Sequence, residues 1–307
     1  MKSIHHFDSI STYNAFNNHQ TLHPLVGILD YSKAHPRYQS KMQFGIYCIV
    51  LKDVKCGDLK YGRHHYDYQE GTLVFISPGQ VIEVENDGAQ YQPLGHALAF
   101  HPDLIRGTSL ASNLTTHHYF GYNTNEALHV SERERQVLLD CFSKIQFELQ
   151  QSIDKHSKKL ITSNIELFLN YCDRFYDRQF ITREHVSKGI LEKFECLLDD
   201  FFSSNKPQEI GFPSVAYSAH ALNLSVNYFG DLIKRETGIS AQEYIQNKTI
   251  DLAKNKIFDV HKTINDVAFE LGFKYPQHFS RMFKQKTGVS PSAYRSILND
   301  KTLETNY

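Results

Sequence analysis

The chain has 307 residues, 33 Lys and Arg against 34 Asp and Glu, and a pI near 7.0; it is longer than one hydrophobic core usually organises and lacks the global basic footprint of many nucleic-acid binders. No apolar run approaches the roughly 20 residues of a bilayer-crossing helix, and residues 1–18 hold no apolar signal core, so a cytoplasmic protein with no membrane partner is expected. Cys48, Cys56, Cys141, Cys172 and Cys196 are odd in number and show no Cys-x-x-Cys spacing. They are expected to be reduced, buried thiols rather than a disulfide framework, zinc site or redox sensor.

Residues 1–125 read as a β-rich domain. Short apolar or alternating runs, Leu25 to Tyr31, Phe44 to Leu51, Thr72 to Ile76, Val81 to Val84 and Leu94 to Phe100, are broken by Gly57, Gly62, Gly71, Pro78-Gly79, Asp87-Gly88 and Pro93. That rhythm predicts an antiparallel sandwich or barrel. The segment Glu70-Gly71-Thr72-Leu73-Val74-Phe75-Ile76-Ser77-Pro78-Gly79 resembles the strand and turn of a small cupin-type jelly roll. Many cupins hold a metal through a His-x-His pattern, whereas His64 and His65 are adjacent here and point to opposite faces of a strand. His65 and Asp67 could share a face, with Glu70 and His96 as further ligands, but the later histidine expected shortly after Pro78-Gly79 is absent. No catalytic residue, metal or cofactor is therefore assigned. His64, Tyr66 and Tyr68 on one face, or His65 and Asp67 on the other, either pack structurally or line a pocket for a small molecule. The candidate ligand-binding set is His65, Asp67, Tyr68 and His96; the sequence leaves an occupied pocket and a filled core open.

Residues 126–180 predict a helical hairpin. Ser131-Glu132-Arg133-Glu134 is a capping-box opening, followed by Val137, Leu138, Cys141, Phe142, Ile145 and Leu149 on one face. After the polar turn at Asp154 to Ser157, Ile161, Ile165, Phe168, Cys172 and Phe175 recur at alternating four and three spacing, the narrow seam of a coiled coil. Either this seam docks on its own subunit or it forms a homodimer interface, the expectation preferred here. A domain boundary is expected at Asp177 to Thr182.

Residues 181–307 predict an all-α domain, opening with a helix from about Glu184 to Phe202. Between Ser214 and Arg295 one helix-turn-helix pattern occurs twice. Ser214, Ala219, Leu222 and Leu224 recur forty-nine positions later as Thr263, Ala268, Leu271 and Phe273; after one inserted residue, Phe229, Lys234, Thr237, Gly238, Ser240 and Tyr244 recur at fifty as Phe279, Lys284, Thr287, Gly288, Ser290 and Tyr294. Ser214 and Thr263 are N-cap candidates, and Asp266 completes a capping box. Second helices are predicted from about Val226 to Glu236 and Pro276 to Lys286, the latter opened by a proline at its first turn and both stopped by glycine. Phe229, Leu232, Ile233 and Phe279, Met282, Phe283 make the inward stripes. Gln277, His278, Ser280, Arg281 and Lys284 remain outward, donors and acceptors suited to base edges and phosphates. The run from Ala241 to Phe258 reads as one linking helix of roughly 25 Å, which would hold two recognition helices close to one DNA turn apart, about 34 Å.

This stretch resembles the AraC/XylS family of transcriptional regulators. The second copy, from Thr263-Ile264-Asn265-Asp266-Val267-Ala268 through Gly272-Phe273, Phe279-Ser280-Arg281-Met282-Phe283-Lys284, Thr287-Gly288-Val289-Ser290-Pro291 and Tyr294-Arg295, follows the family signature almost throughout. The resemblance implies base contacts from Gln277, Ser280 and Arg281, with His278 and Lys284 beside them and a phosphate at the helix end capped by Thr263. In the first copy Asn227, Gly230 and Asp231 stand where base-contacting side chains are expected, so Asn227 and Lys234 are its candidate contacts, and an acidic residue facing DNA repels phosphate. From Gly211 to Tyr307 there are twelve Lys and Arg against nine Asp and Glu, only a small excess. The implied partners are double-stranded DNA, a small-molecule effector in the β-rich domain and, for an activator, RNA polymerase. A cupin-type metalloenzyme fused to a DNA-binding domain, or a ligand-independent DNA binder, are the alternatives.

Overall fold

Alternation of side chains along short strands decides what the first of two units buries. The computed structural model describes residues 4–38, 40–52, 71–83, 90–123, 126–182, 184–259 and 261–296, and the chain divides into Met1–Thr182 and Arg183–Tyr307. In the first unit the chain forms β1 (Ile4–Phe7), α1 (Ile10–Phe16), β2 (Val26–Asp30), β3 (Lys41–Phe44), β4 (Tyr47–Lys52), β5 (Thr72–Ile76), β6 (Val81–Glu83) and β7 (Gly95–Phe100). The short helices α2 (Pro102–Ile105) and α3 (Ser109–Asn113), strand β8 (Leu128–His129) and the long helices α4 (Glu132–Leu149) and α5 (Ser157–Thr182) complete it. One sheet has the order β1-β3-β6, with β1 and β3 parallel; the other, β2-β7-β4-β5-β8, is antiparallel.

Because neighbouring strand residues face opposite ways, Leu29, Cys48, Val50, Val74, Ile76, Ala97 and Ala99 turn toward the small sheet and meet Phe7, Ile10, Tyr13, Met42 and Phe44 in one core. Polar atoms inside it pair with one another: the hydroxyls of Tyr13 and Tyr31 share a hydrogen bond, and the Cys48 thiol donates to Tyr13 at 3.3 Å. Burial pushes the Cys48 thiol up to about 12, so it stays protonated and unreactive at neutral pH. Cys141 and Cys172 are buried too, but Cys196 is exposed, against the expectation of buried thiols; Cys56 lies outside the described residues. The opposite face of the large sheet, including Ile49, Leu51, Leu73, Phe75, Leu98 and Phe100, is equally buried, with Tyr119, Phe120 and Tyr176 packed on Phe75.

Those contacts bring in the hairpin. Ser131 and Glu134 form the expected capping box at the start of α4. The apolar seam Ile161, Ile165, Phe168, Cys172 and Phe175 is 7% exposed or less at every position, and Phe168 stacks on Phe142 of α4 at 5.1 Å. The seam is therefore filled from within its own chain and has no surface left for a second copy, which corrects the expected use of these residues as a dimer interface. Polar contacts fasten the far end of α5: Arg178 donates to both Glu134 carboxylate oxygens at 3.1 and 2.7 Å, and Gln179 accepts from the His129 N–H at 2.7 Å while donating to the Ala127 carbonyl.

The second unit contains α6 (Glu184–Ser203), α7 (Lys206–Ile210), α8 (Val215–Ala221), α9 (Val226–Thr237), α10 (Ala241–Ile257), α11 (Ile264–Glu270) and α12 (Pro276–Thr287). The stops are as the sequence predicts: Gly238 and Gly288 cap α9 and α12 in the left-handed conformation, φ 75° and 83°. Ile250, Ala253 and Ile257 of α10 pack with Val267, Ala268, Leu271, Phe279 and Phe283 of the second helix pair. Phe194 of α6 joins the first pair through Phe229 and the linking helix through Tyr244, at 4.9 and 5.3 Å.

One backbone contact ties the second helix pair to the segment between α7 and α8, independently of α10. Gly272, at φ 85° in the turn between α11 and α12, faces the backbone of Gly211 and Phe212; an added Cβ would lie 2.7 Å from Gly211 carbonyl carbon and oxygen and 2.8 Å from the Phe212 nitrogen. Beside it Phe212 and Phe273 pack at 4.9 Å. Gly272→Ala combines a left-handed backbone with a backbone clash and is expected to cost about 2–4 kcal/mol, read as the shift in the denaturant midpoint of the C-terminal unit. A loss below about 1 kcal/mol would mean that this turn and the Gly211 segment separate freely.

Candidate nucleic-acid interface

The outward face of α12 is built by subtraction. Phe279 and Phe283 point into the core with no exposed surface, each contributing about 1.5–3 kcal/mol of apolar burial, and the helical period then turns Gln277, His278, Arg281 and Lys284 outward. Ser280 is half-buried on the same side. The side chains of Gln277, Ser280, Arg281 and Lys284 make no hydrogen bond or ion pair among the described residues, while His278 packs edge-on against Tyr275 at 5.5 Å. A planar guanidinium, an amide, a hydroxyl and an ammonium thus project from one face with their donors uncommitted. Such a set fits the acceptors of a major groove and its phosphates.

The first copy differs. Phe229, Leu232 and Ile233 are buried as predicted, and Lys234 is exposed without an acidic partner among the described residues. Asn227 and Asp231, however, already take part in interactions within the chain, and Gly230 offers no side chain. Fewer groups are free on α9 than on α12.

Two further expectations shift once partners are visible. Thr263 does open α11 as the N-cap, but Asp266 occupies the amide end: its carboxylate accepts the Thr263 N–H at 2.8 Å and the Thr263 hydroxyl at 2.7 Å. A carboxylate already stands where a phosphate was expected, so Thr263 is a capping residue here rather than an anion contact. Local basicity is also smaller than the composition suggests. Lys262 and Lys256 both pair with Glu270, at 2.6 and 2.8 Å, and Lys286 with Glu243 at 2.7 Å. Lys274, Arg281 and Lys284 remain without an acidic partner among the described residues, Lys274 lying 5.7 Å above the Tyr275 ring. Tyr275, 48% exposed at the N-terminus of α12, was not singled out by the sequence; its only signal there is an aromatic residue immediately before Pro276.

The candidate ligand set does not assemble. His65, Asp67 and Tyr68 lie outside the described residues. His96 is on β7 between the inward Ala97 and the Gly95 that precedes it, paired with Asp30 and Leu51, and so faces away from the core shared by the two sheets. It lines instead a cleft of about 800 Å³ with Asn14, His19 and Asp30 on one side and Gln136 and Ser143 of α4 on the other. The Asp30 carboxyl lies below its usual range: burial alone would raise it, but hydrogen bonds from the Ser32 N–H and hydroxyl and the nearby His96 outweigh that. Among the described residues no three His, Cys, Asp or Glu side chains group to hold a metal ion, and no helix is long and apolar enough to cross a membrane.

Asp266 and Glu270 also lie below the ordinary carboxylate range. The first is lowered by hydrogen bonds from Thr263; for the second, burial acts upward and is outweighed by the ammonium groups of Lys256 and Lys262. A folded-state value below the unfolded one means stability that is present above the ordinary range and disappears as pH falls through the lowered value. The C-terminal unit should lose stability from about pH 4 downward, and Asp266→Asn should make that acid limb shallower in chemical denaturation series. An unchanged limb would show that the Thr263 contacts do not persist in solution.

A family model described as a helix-turn-helix domain matches residues 218–297. The chain is 31% identical over 147 residues to the uncharacterized HTH-type transcriptional regulator YfiF of Bacillus subtilis (strain 168), covering 48% of this chain and 43% of YfiF. It is 26% identical to the uncharacterized HTH-type transcriptional regulator YijO of Escherichia coli (strain K12), over 57% of this chain and 58% of that protein. A longer and more distant match, 20% identity over 76% of this chain and 87% of the other, is to the HTH-type transcriptional activator RhaS of Enterobacter sp. (strain 638). The chain thus spans about half the length of YfiF and of YijO.

Proposed function

We propose, from the premise that residues 218–297 are an AraC-type helix-turn-helix domain, that this chain is a sequence-specific DNA-binding transcription regulator rather than an enzyme. The observation that carries the reading is the outward face of α12, where Gln277, Ser280, Arg281 and Lys284 have no partner among the described residues although they stand together on one exposed side. Arg281 reads a base edge, for which its bidentate fork is suited to guanine. Gln277 and Ser280 add hydrogen bonds to neighbouring bases, His278 and Lys234 lie at the flanks, and Lys284 neutralises a phosphate. On α9, Asn227 contributes less, because it is already engaged within the chain.

The N-terminal unit is read as a cupin-like sensing domain. Its sandwich interior is filled with apolar side chains among the described residues, so the cleft bordered by His96, Asp30 and α4 is the favoured place for a small-molecule effector. An occupant touching both a strand and the hairpin helix can shift the balance between two domain arrangements through its differential affinity for them. Homodimerisation is retained on a different surface from the buried seam: Leu160 and Leu167, one heptad apart on the other side of α5, are 45% and 38% exposed. A cytoplasmic location, and contact with RNA polymerase where the protein activates, complete the proposal.

The test is selection of the full-length protein against random duplex DNA at near-physiological salt, with Arg281→Ala in parallel. One enriched motif is expected, and the variant should bind it about 1–3 kcal/mol more weakly with relaxed choice at one position. Equal weakening on every sequence would make Arg281 a phosphate contact; absence of any enriched motif would remove sequence-specific readout.

A further inference from the structure

An antiparallel ladder uses every second residue of a strand: one residue gives both its N–H and its C=O to the neighbouring strand, and the next turns both away. Inside a sheet the groups turned away meet another strand, whereas at an edge they need some other partner or stay open. The large sheet ends in β2 on one side and β8 on the other. On β8 the outward residue is His129, because Val130 donates its N–H to the Gly71 carbonyl at 3.0 Å. The fold closes that edge with side chains of α5: Gln179 accepts the His129 N–H at 2.7 Å, and Arg178 donates to the His129 carbonyl at 2.6 Å.

On β2 the same closure stops short. His101 donates its N–H to the Leu25 carbonyl at 2.8 Å, so Leu25, Gly27 and Leu29 bond toward β7, while Val26, Ile28 and Asp30 turn their backbone groups to the open side. At Asp30 the His19 ring stands in for a strand, its Nε2 3.2 Å from the Asp30 nitrogen and 2.8 Å from the Asp30 carbonyl oxygen. Val26 has no exposed surface. Ile28 is half-buried, and no group of the described residues meets its outward N–H or C=O. This opening lies in the cleft of about 800 Å³ between the β2 edge and α4. Asn14 lines the same cleft and is 3% exposed, yet among the described residues its carboxamide oxygen has no hydrogen-bond partner; its nitrogen donates to the Gln20 carbonyl and the Thr21 hydroxyl.

We propose that this cleft takes a short peptide in extended form, which adds to the β2 edge and pairs with Ile28 through both backbone groups. A peptide backbone carries one donor and one acceptor at the spacing that a strand edge offers. β2 is five residues long, so the paired segment is no longer than that. Alternate residues of the peptide, about 6.8 Å apart, face α4, where Leu139 and Phe147 give apolar contact and Gln136 and Gln146 give amides. Asp30 and Lys33, of opposite sign, are the acidic and basic side chains on the cleft wall among the described residues. The favoured peptide therefore has uncharged, largely apolar side chains. This rests on the reading above that the cleft is an effector site, and it gives that effector a chemical class.

The probe is a synthetic library of random hexapeptides offered to the immobilised full-length protein, with retained peptides identified by mass spectrometry and resynthesised. Uncharged, largely apolar peptides are expected, and their binding should slow exchange of the Ile28 amide hydrogen. Ile28→Pro removes the outward N–H without removing a ladder bond and should weaken binding by about tenfold or more. N-methylation of one peptide nitrogen should do the same, and methylation of the nitrogens on either side of it should not. Ser143→Arg, on the exposed α4 wall of the cleft, narrows the site without touching the strand and gives the same readout where Ile28→Pro fails to fold. Peptide binding that survives Ser143→Arg, or that is indifferent to N-methylation at every position, overturns the inference, as does a library from which nothing is retained. A panel of small metabolites separates this from the reading beneath it. A metabolite that binds the parent and not Ser143→Arg, while no peptide is retained, removes the peptide and leaves the effector cleft; if Ser143→Arg alters the binding of neither class, both fall.

Discussion

The arrangement of the C-terminal unit depends on one apolar surface, the buried side of α10. Residues Ala241, Ile245, Ile250, Ala253 and Ile257 are each 3% exposed or less, and the later three are packed by α11 and α12. Neither flanking helix pair has the length to hold itself together in water, since α8 and α11 have only seven residues each and short helices are marginal on their own. Packing on a common rod supplies what local propensity does not. Away from the rod, Gly272 also meets the backbone of Gly211 and Phe212, in the segment that leads into α8.

The two copies present different outward faces. On α12 the polar side chains are long and uncommitted. On α9 the corresponding positions hold a glycine and an aspartate that is already engaged. A duplicated scaffold whose cores are nearly interchangeable thus presents two unlike surfaces, one offering hydrogen-bond donors and the other an open backbone. Ion pairs sharpen the contrast: Glu270 and Glu243 bind three lysines that composition alone would assign to DNA, which leaves a smaller and more localised set of free cations. Local charge, not the near-neutral total, sets the potential over the outward side of α12.

In the N-terminal unit the same physics closes one pocket and opens another. Aromatic and aliphatic side chains from both sheets fill the space between them, and the Tyr13, Tyr31 and Cys48 groups satisfy one another there, as buried polar atoms must. The hairpin covers the outer face of the large sheet, and where α4 passes the β2 edge a cleft lined by both polar and apolar side chains remains. His96 belongs to that cleft because the strand register turns it outward, one residue from Ala97, which turns inward.

Elements whose signals are local were legible in the sequence: the Ser131-Glu134 and Thr263-Asp266 capping boxes, the glycine stops at 238 and 288, the inward Phe229, Leu232 and Ile233 and the inward Phe279 and Phe283 with the partly buried Met282, and the five β runs, each of which holds a strand. Which residues of α12 face outward was legible for the same reason, as it follows from helical period alone. Three matters needed the tertiary structure. The coiled-coil seam of α5 marks an apolar stripe that must be covered, but the stripe has the same period whether its partner is α4 or another chain. The identity of the free cations depends on which carboxylates the fold brings near, and Glu243 and Lys286 are forty-three residues apart. Finally, a glycine reads the same in sequence whether a neighbouring backbone or open solvent lies beside it; only the packed chain separates Gly272, which has no room for a side chain, from Gly230, which has room that its own fold does not use.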